Sequence, residues 1–68
     1  MLDKNTSLVW EYLKNHFTTS DQPVELTSLL SIGLSVDETN KSKDKLERDG
    51  LINVNHKYVT KPIESINL

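Results

Sequence analysis

The chain has 68 residues and a mass of 7.8 kDa, with 26% charged residues, a formal net charge of −2 and no cysteine. A chain of this length forms one small domain, which buries only about 60% of the surface that its unfolded form exposes. Its size excludes a multi-step enzyme with its own cofactor pocket, and the lack of cysteine excludes a disulfide framework. Stability must therefore come from an aliphatic core or from a second subunit.

The first helix is predicted to start near residue 6, with Asn5 or Thr6 as its N-cap and Phe17 closing its apolar face. The spacing of the apolar residues between these points is helical. Trp10 lies at the edge of the apolar face. It either covers the margin of the core or contacts a second subunit.

A second helix, which can begin as a short strand, is predicted for residues 24–32, because leucines recur there at positions 26, 29 and 30. Gly33 follows and supplies the left-handed residue that a sharp turn after a helix requires. Ser35 and Glu38 have the spacing of a capping box, so the third helix is predicted for residues 36–49. Together these segments predict a helix-turn-helix.

Two strands are predicted after Gly50, at residues 51–54 and 57–61, because both segments are rich in β-branched and aromatic residues. Asn55-His56 between them predicts a two-residue hairpin turn, since asparagine tolerates a positive φ; a turn one residue longer is the alternative, because His56 is less favourable there than glycine. Pro62 is expected to end the second strand or to mark it as an edge strand. The remaining residues, 62–68, are then a short C-terminal tail.

Three helices followed by a β-hairpin resemble the winged helix-turn-helix domain over about residues 6–61. The most specific stretch is Leu46-Glu47-Arg48-Asp49-Gly50-Leu51-Ile52, a run similar to the end of the recognition helix in small bacterial and phage transcription regulators. The resemblance implies an α+β fold in which residues 1–68 form one domain, with a three-helix core and a C-terminal hairpin as its wing.

The third helix departs from the family pattern in its middle, where Thr39, Asn40 and Lys43 stand at positions that often carry Val, Ile or Leu. Lys43 is expected to lay its methylene stem along the core and send its ammonium to solvent. The helix also carries five acidic residues against four basic ones. A strong non-specific DNA binder shows a clearer basic excess.

Charge is nevertheless distributed unevenly along the chain. Residues 1–40 carry two basic and six acidic residues, whereas residues 41–61 carry six basic and three acidic ones. A basic segment on an acidic chain can attract a polyanion, because the local field matters more than the total charge. The alternative interpretation is a solvated helix surface with ordinary ion pairs.

The resemblance implies that the third helix enters the major groove of double-stranded DNA and that the wing meets the minor groove or the backbone. Asn and Lys can bind base edges, and Arg48 is expected on a phosphate or on Asp44. The hydroxyls of Ser35 and Thr39, with the amides at the start of the helix, could bind one phosphate. The candidate DNA-binding residues are Ser35, Thr39, Asn40, Lys41, Lys43, Asp44, Lys45, Arg48, Asn55, His56 and Lys57.

One domain presents one recognition helix, and specific DNA binding usually requires two, so the resemblance implies a homodimer. The candidates for a dimer seam are apolar residues at the edge of the predicted core or outside it, namely Leu2, Leu8, Trp10, Ile63, Ile66 and Leu68. The alternative is that these residues close the core of the monomer.

The sequence contains no nucleophile elbow, phosphate loop or metal-ligand cluster, so we expect neither an enzyme nor a cofactor. His16 and His56 lie forty residues apart and do not define a metal site. No apolar run reaches transmembrane length, and no signal peptide is present, which predicts a cytoplasmic protein without membrane contact. Residues with GC-rich codons are scarce in this chain, a composition typical of proteins from low-GC bacteria, their phages and plasmids.

The expected function is therefore a DNA-binding regulator of transcription or of a mobile element. The alternative is a winged-helix module that binds a protein partner. Lysines that converge from the third helix and the wing onto one face would favour DNA. Interruption of that face by Asp37, Asp44 and Glu47 would favour a protein.

Overall fold

Three helices come first along the chain and a two-stranded antiparallel hairpin follows them, so the protein is α+β, as expected. The computed structural model describes residues 3–67. The helices are α1 (Lys4–Thr19), α2 (Leu26–Leu29), which a 3-10 turn (Leu30–Ile32) continues, and α3 (Val36–Arg48). The strands are β1 (Ile52–Val54) and β2 (Ile63–Ile66).

Helix α1 begins two residues before the predicted start and is capped by Asp3, not by Asn5 or Thr6. The Asp3 carboxylate accepts a hydrogen bond from the backbone N–H of Thr6 at 2.7 Å. A carboxylate at this position satisfies a free amide of the first turn and interacts favourably with the helix dipole. Thr6 is instead buried inside the helix, where its hydroxyl contacts α3.

The turn between α2 and α3 follows the prediction. Gly33 has a φ of 93°, and its N–H donates to the Leu30 carbonyl at 3.1 Å. The capping box is confirmed, because the Glu38 N–H donates to Ser35 Oγ and the Ser35 N–H donates to the Glu38 carboxylate. Both devices end one helix and begin the next within three residues, which sets the angle at which α3 leaves the turn.

The core lies between α1, α3 and the hairpin. Trp10 packs against its margin and is partly buried. Leu46 is the buried apolar residue that α3 contributes, and the other buried positions of α3 are polar: Thr39, Ser42 and Lys43. The fully packed apolar residues are Val9, Leu13, Val24, Leu29, Leu46, Ile52 and Ile63.

The second strand is the element for which the sequence-based prediction was wrong. Residues 57–61 form turns instead of a strand, and β2 begins after Pro62, not before it. The connection between the strands is thus an eight-residue segment, residues 55–62, which we call the hairpin loop. It replaces the predicted two-residue turn at Asn55-His56. The high β-propensity of residues 58–60 is overridden because these side chains would not reach the core.

Ile63 explains why the strand lies where it does. Its side chain is fully buried, and its backbone exchanges two hydrogen bonds with Val24, at 2.8 and 2.9 Å. It also lies opposite Val54 in the register between β1 and β2, next to an irregularity after Asn53. Residues 62–66 are therefore part of the packed domain and not a tail, with Pro62 and Ile63 buried, and the domain extends beyond the predicted core boundary.

Truncation of Ile63 tests this correction. We expect Ile63→Ala to lower the free energy of unfolding by about 2–5 kcal/mol, since it opens a cavity in the core. Val59→Ala, within the segment that the sequence predicted as a strand, should change it by less than about 0.5 kcal/mol because that side chain is exposed. Urea denaturation followed by circular dichroism measures both. Equal effects of the two substitutions would contradict the assignment of the strand.

Candidate nucleic-acid interface

A stripe of charged side chains runs along the outward face of α3. It consists of Asp37, Lys41, Asp44 and Arg48, all of which are exposed. Residues separated by three or four positions share one face of a helix, so these four side chains are neighbours. Asn40 is also exposed and lies beside the stripe, between Asp37 and Asp44.

Two of the predicted DNA-contact residues on α3 are inside the protein. Thr39 is fully buried, and its hydroxyl donates to the Ser35 carbonyl at 2.8 Å. Lys43 is 6% exposed, and its ammonium donates to the backbone carbonyl of Lys61. The expectation that this ammonium reaches solvent was therefore wrong. Neither side chain is available to a base edge in this conformation.

The start of α3 also differs from a phosphate site. Ser35 uses its hydroxyl to cap the helix, and the carboxylate of Glu38 already occupies this end of α3. The hydrogen bonds from Ser35 hold the pKa of Glu38 below its ordinary value, so the carboxylate is ionised at neutral pH. A phosphate placed here would meet a fixed negative charge, which disfavours the predicted contact through Ser35 and Thr39.

Lys45 lies off the stripe, on the side of α3 that faces the start of α1. Its ammonium pairs with the carboxylate of Asp3, the same group that caps α1. One aspartate thus joins the first turn of α1 to the last turn of α3. Nearby, Asn5 donates to Glu38 at 3.1 Å, and the hydroxyl of Thr6 donates to that of Ser42 at 3.3 Å.

The predicted wing residues lie at the start of the hairpin loop. Asn55 shapes the turn, because its side chain accepts from the N–H of Lys57 at 3.0 Å and donates to the Glu64 carboxylate at 2.9 Å. His56 contacts the carboxylate of Glu47 on α3. Lys57 is exposed. Asn55 is therefore a structural residue, whereas Lys57 is free to face a ligand.

The sequence reasoning missed the far side of the same loop. Lys61 is exposed and lines a cleft of about 350 Å³. Three segments form this cleft: residues 59–61 of the loop, Asn40 and Lys43 of α3, and residues 25–27 at the start of α2, where Glu25 adds an acidic group. Val59 is 99% exposed and Tyr58 is 61% exposed. Tyr58 and Val59 have high β-propensity, which predicted a strand at these residues. The strand instead begins at Ile63, whose side chain is buried in the core.

The hairpin loop adjoins α3 beside the stripe, because Asn40 lines the same cleft as Lys61 and His56 contacts Glu47. We call the exposed polar and charged residues of these two adjoining elements the helix–loop face: Asn40, Lys41, Asp44 and Arg48 on α3, with Lys57 and Lys61 on the hairpin loop. Both elements thus contribute exposed basic residues. Acidic residues also interrupt this face, because Asp37 and Asp44 lie in the stripe. The Glu47 carboxylate, on a half-buried side chain, contacts His56 Nε2.

The proposed dimer seam is only partly at the surface. Ile63 is buried in the core, which excludes it from a seam and agrees with the alternative interpretation. Trp10 and Ile66 are partly buried against the core, and Lys14 lies 5.9 Å above the Trp10 ring. Leu8 is exposed. Leu2 and Leu68 lie outside the described residues.

The two histidines have separate surroundings. His16 stacks on Tyr12, meets the edge of Phe17, and has Nε2 2.7 Å from the Gln22 carbonyl oxygen, whereas His56 contacts Glu47. Within residues 3–67, no three His, Cys, Asp or Glu side chains are grouped so that they could hold a metal ion. No helix in this part of the chain is long and apolar enough to cross a membrane.

No known protein family, curated protein or solved structure matches this chain. Its function is therefore inferred from the helix–loop face.

The pair of Asp3 with Lys45 predicts an acid-sensitive contact. Lys45, and then the Thr6 amide, hold the pKa of Asp3 far below its ordinary 3.8. A carboxyl whose pKa is lowered by folding stabilises the protein above its unfolded pKa, and this contribution is lost as the pH falls. Asp3→Asn should therefore reduce stability at pH 7 only slightly, because both side chains are about half exposed and solvent screens the pair, and it should reduce the loss of stability between about pH 5 and pH 2.

Urea midpoints at both ends of that pH range measure the effect. Asp21→Asn is the matched control, because Asp21 is also exposed but lies in the connection between α1 and α2. If Asp3→Asn retains the full acid sensitivity of the natural chain, the contact does not contribute to the pH dependence.

Proposed function

We propose that this protein is a winged helix-turn-helix protein that binds double-stranded DNA. In this proposal, α3 enters the major groove and the hairpin loop acts as the wing. The observation that carries the proposal is the helix–loop face, in which Lys41 and Arg48 are exposed on α3 while Lys57 and Lys61 are exposed on a loop that contacts α3. Cationic side chains on two adjacent elements can follow the phosphates on both sides of a groove.

The available side chains divide into two roles. Asn40 and Lys41 lie in the N-terminal half of α3, which reaches base edges best when a recognition helix enters the major groove. Asn binds adenine with two hydrogen bonds, and Lys donates to guanine acceptors. Arg48, near the end of α3, and the two lysines of the hairpin loop are suited to phosphates.

The acidic residues in the stripe limit the kind of binding. Asp37 and Asp44 repel phosphates, so binding to arbitrary DNA is weak and has a shallow salt dependence. Affinity then depends on a correct sequence, to which direct base contacts contribute about 1–3 kcal/mol each. A second copy of the protein on an adjacent half-site would double these contacts, which supports a homodimer on DNA. The role that fits is a cytoplasmic regulator of a bacterium, phage or plasmid.

Lysine substitutions on each element test the proposal. Lys41→Ala and Lys57→Ala should each weaken binding to duplex DNA, and a lysine that contacts phosphate should lower the slope of log affinity against log salt by about one. Fluorescence anisotropy of a labelled duplex at several salt concentrations measures both quantities. Lys14→Ala is the control and should leave the slope unchanged, because Lys14 lies on α1, pairs with Glu11 and lines a cleft to which α3 contributes no residue. Unchanged binding in both Lys41→Ala and Lys57→Ala would exclude the proposed interface.

A second function has one specific observation in its favour. Alternating charge along the exposed stripe, in the order Asp37, Lys41, Asp44 and Arg48, complements a protein surface of mixed charge better than it complements a uniform polyanion. The alternative is therefore a winged-helix module that uses the same face to bind a protein partner.

Removal of an acidic group separates the two functions. If α3 faces DNA, Asp44→Asn should tighten binding to non-specific duplex by about three- to tenfold, because one repulsive contact with phosphate is lost. Asp21→Asn, away from the helix–loop face, should have no effect. Unchanged or weaker binding in Asp44→Asn would show that α3 does not approach the duplex and would favour the protein-binding function.

A further inference from the structure

We propose that Lys43 is a positioning residue that holds the hairpin loop beside α3, and that it acts on DNA binding through the loop without touching DNA. This inference rests on the proposed function for its consequence, but the structural part can be tested without DNA. It reassigns a lysine that the sequence placed among the direct DNA contacts.

The Lys43 side chain is buried although it carries a charge. It is 6% exposed and lies on the face of α3 that also carries Thr39 and Leu46. Burial lowers the pKa of Lys43, since an ammonium loses hydration there. A buried cation is tolerated only with a hydrogen-bond partner, and the partner in this structure is the backbone carbonyl of Lys61. The contact therefore links the middle of α3 directly to the hairpin loop.

The backbone of the hairpin loop is unusual at Lys61, the residue that Lys43 contacts. Lys61 has a φ of 46°, in the left-handed region that residues with a side chain rarely adopt. Its N–H donates to the Tyr58 carbonyl at 3.0 Å, which closes the turn of residues 58–61. A disfavoured backbone conformation persists when its surroundings enforce it. The Lys43 ammonium is the group from α3 that binds the carbonyl of this residue.

Few other side chains in the described residues connect the hairpin loop to α3. Residues 56–61 are all exposed. The other side-chain contact with α3 in the described residues is the pair of His56 with Glu47, whose side chains are 57% and 32% exposed. Exposed ion pairs contribute little, because solvent screens them. The ends of the loop are joined separately, because the N–H of Asn55 donates to the carbonyl of Pro62 at 2.9 Å. Between those ends, the contact of Lys43 is the buried side-chain contact that holds the segment around Lys61 to α3.

The structural arm of the test measures amide hydrogen exchange in the free protein. Lys43→Met keeps an unbranched apolar stem and removes the ammonium. We expect the amides of Lys57 and Lys61 to exchange roughly tenfold faster in this variant, while the amides of α1 keep their protection. Lys41→Met is the matched control, since it removes an exposed lysine from the same helix, and it should leave the loop unchanged. Unchanged exchange at both loop amides in Lys43→Met would overturn the inference.

The binding arm uses a double-mutant cycle on a labelled duplex over a range of salt concentrations. If Lys43 acts by positioning, Lys43→Met and Lys57→Ala each weaken binding, and the double variant binds about as well as Lys43→Met alone. If Lys43 touches a phosphate itself, the two losses add and the salt slope falls by about one more, which would overturn the inference.

The two arms keep the inference and the proposed function distinguishable. If the natural chain binds no duplex at low salt, the proposed function is wrong, and the exchange measurement alone decides whether Lys43 holds the loop. If the natural chain binds DNA and Lys43→Met changes neither the loop nor the affinity, the inference is wrong while the proposed function stands.

Discussion

The burial of Ile63 is the constraint on which the rest of the structure depends. A domain of this size has few apolar residues to exclude water, and α3 contributes only Leu46 as a fully buried one. The core is completed from the end of the chain, where Ile63 packs below the helices and pairs with the backbone of Val24. This bridge links β2 to the segment before α2. It also moves the second strand beyond Pro62 and creates the eight-residue hairpin loop.

The same shortage of apolar residues explains the polar contacts between the helices. Thr6 and Ser42 join α1 to α3, and Lys43 fills a buried position with its methylene stem. Buried polar groups are tolerated when each has a partner, and in residues 3–67 every buried side-chain nitrogen or oxygen has one. Packing of α3 thus buries side chains that the sequence predicted as DNA contacts, and fewer of those predicted residues remain on its outer face.

The outer face of α3 carries alternating charge, and the hairpin loop adds two exposed lysines. In the proposed function these groups bind DNA, and repulsion of phosphates by Asp37 and Asp44 makes affinity depend on base contacts more than on charge alone. A protein partner with mixed charge would use the same residues. Acidic residues on this face weaken binding to DNA by repelling phosphates, whereas they can pair with basic groups of a protein partner. Substitutions of Asp37 and Asp44 therefore distinguish the two functions better than substitutions of the lysines.

Local chemistry by itself determined much of this protein. Helical spacing, the glycine at position 33 and the capping box of Ser35 with Glu38 act within a few residues, so they predicted three helices, the turn and the α+β class. The boundaries of β2, the burial of Thr39 and Lys43 and the capping of α1 by Asp3 were not predicted in this way. The first two depend on the filling of a shared core or on a distant partner, as in the contact of Lys43 with Lys61, 18 positions away. The cap is itself a local contact of Asp3 with the Thr6 amide, and only its pairing with Lys45, 42 positions away, is a tertiary feature. Only the tertiary structure decided which lysines face outward, because burial is a property of the packed domain and not of the local sequence.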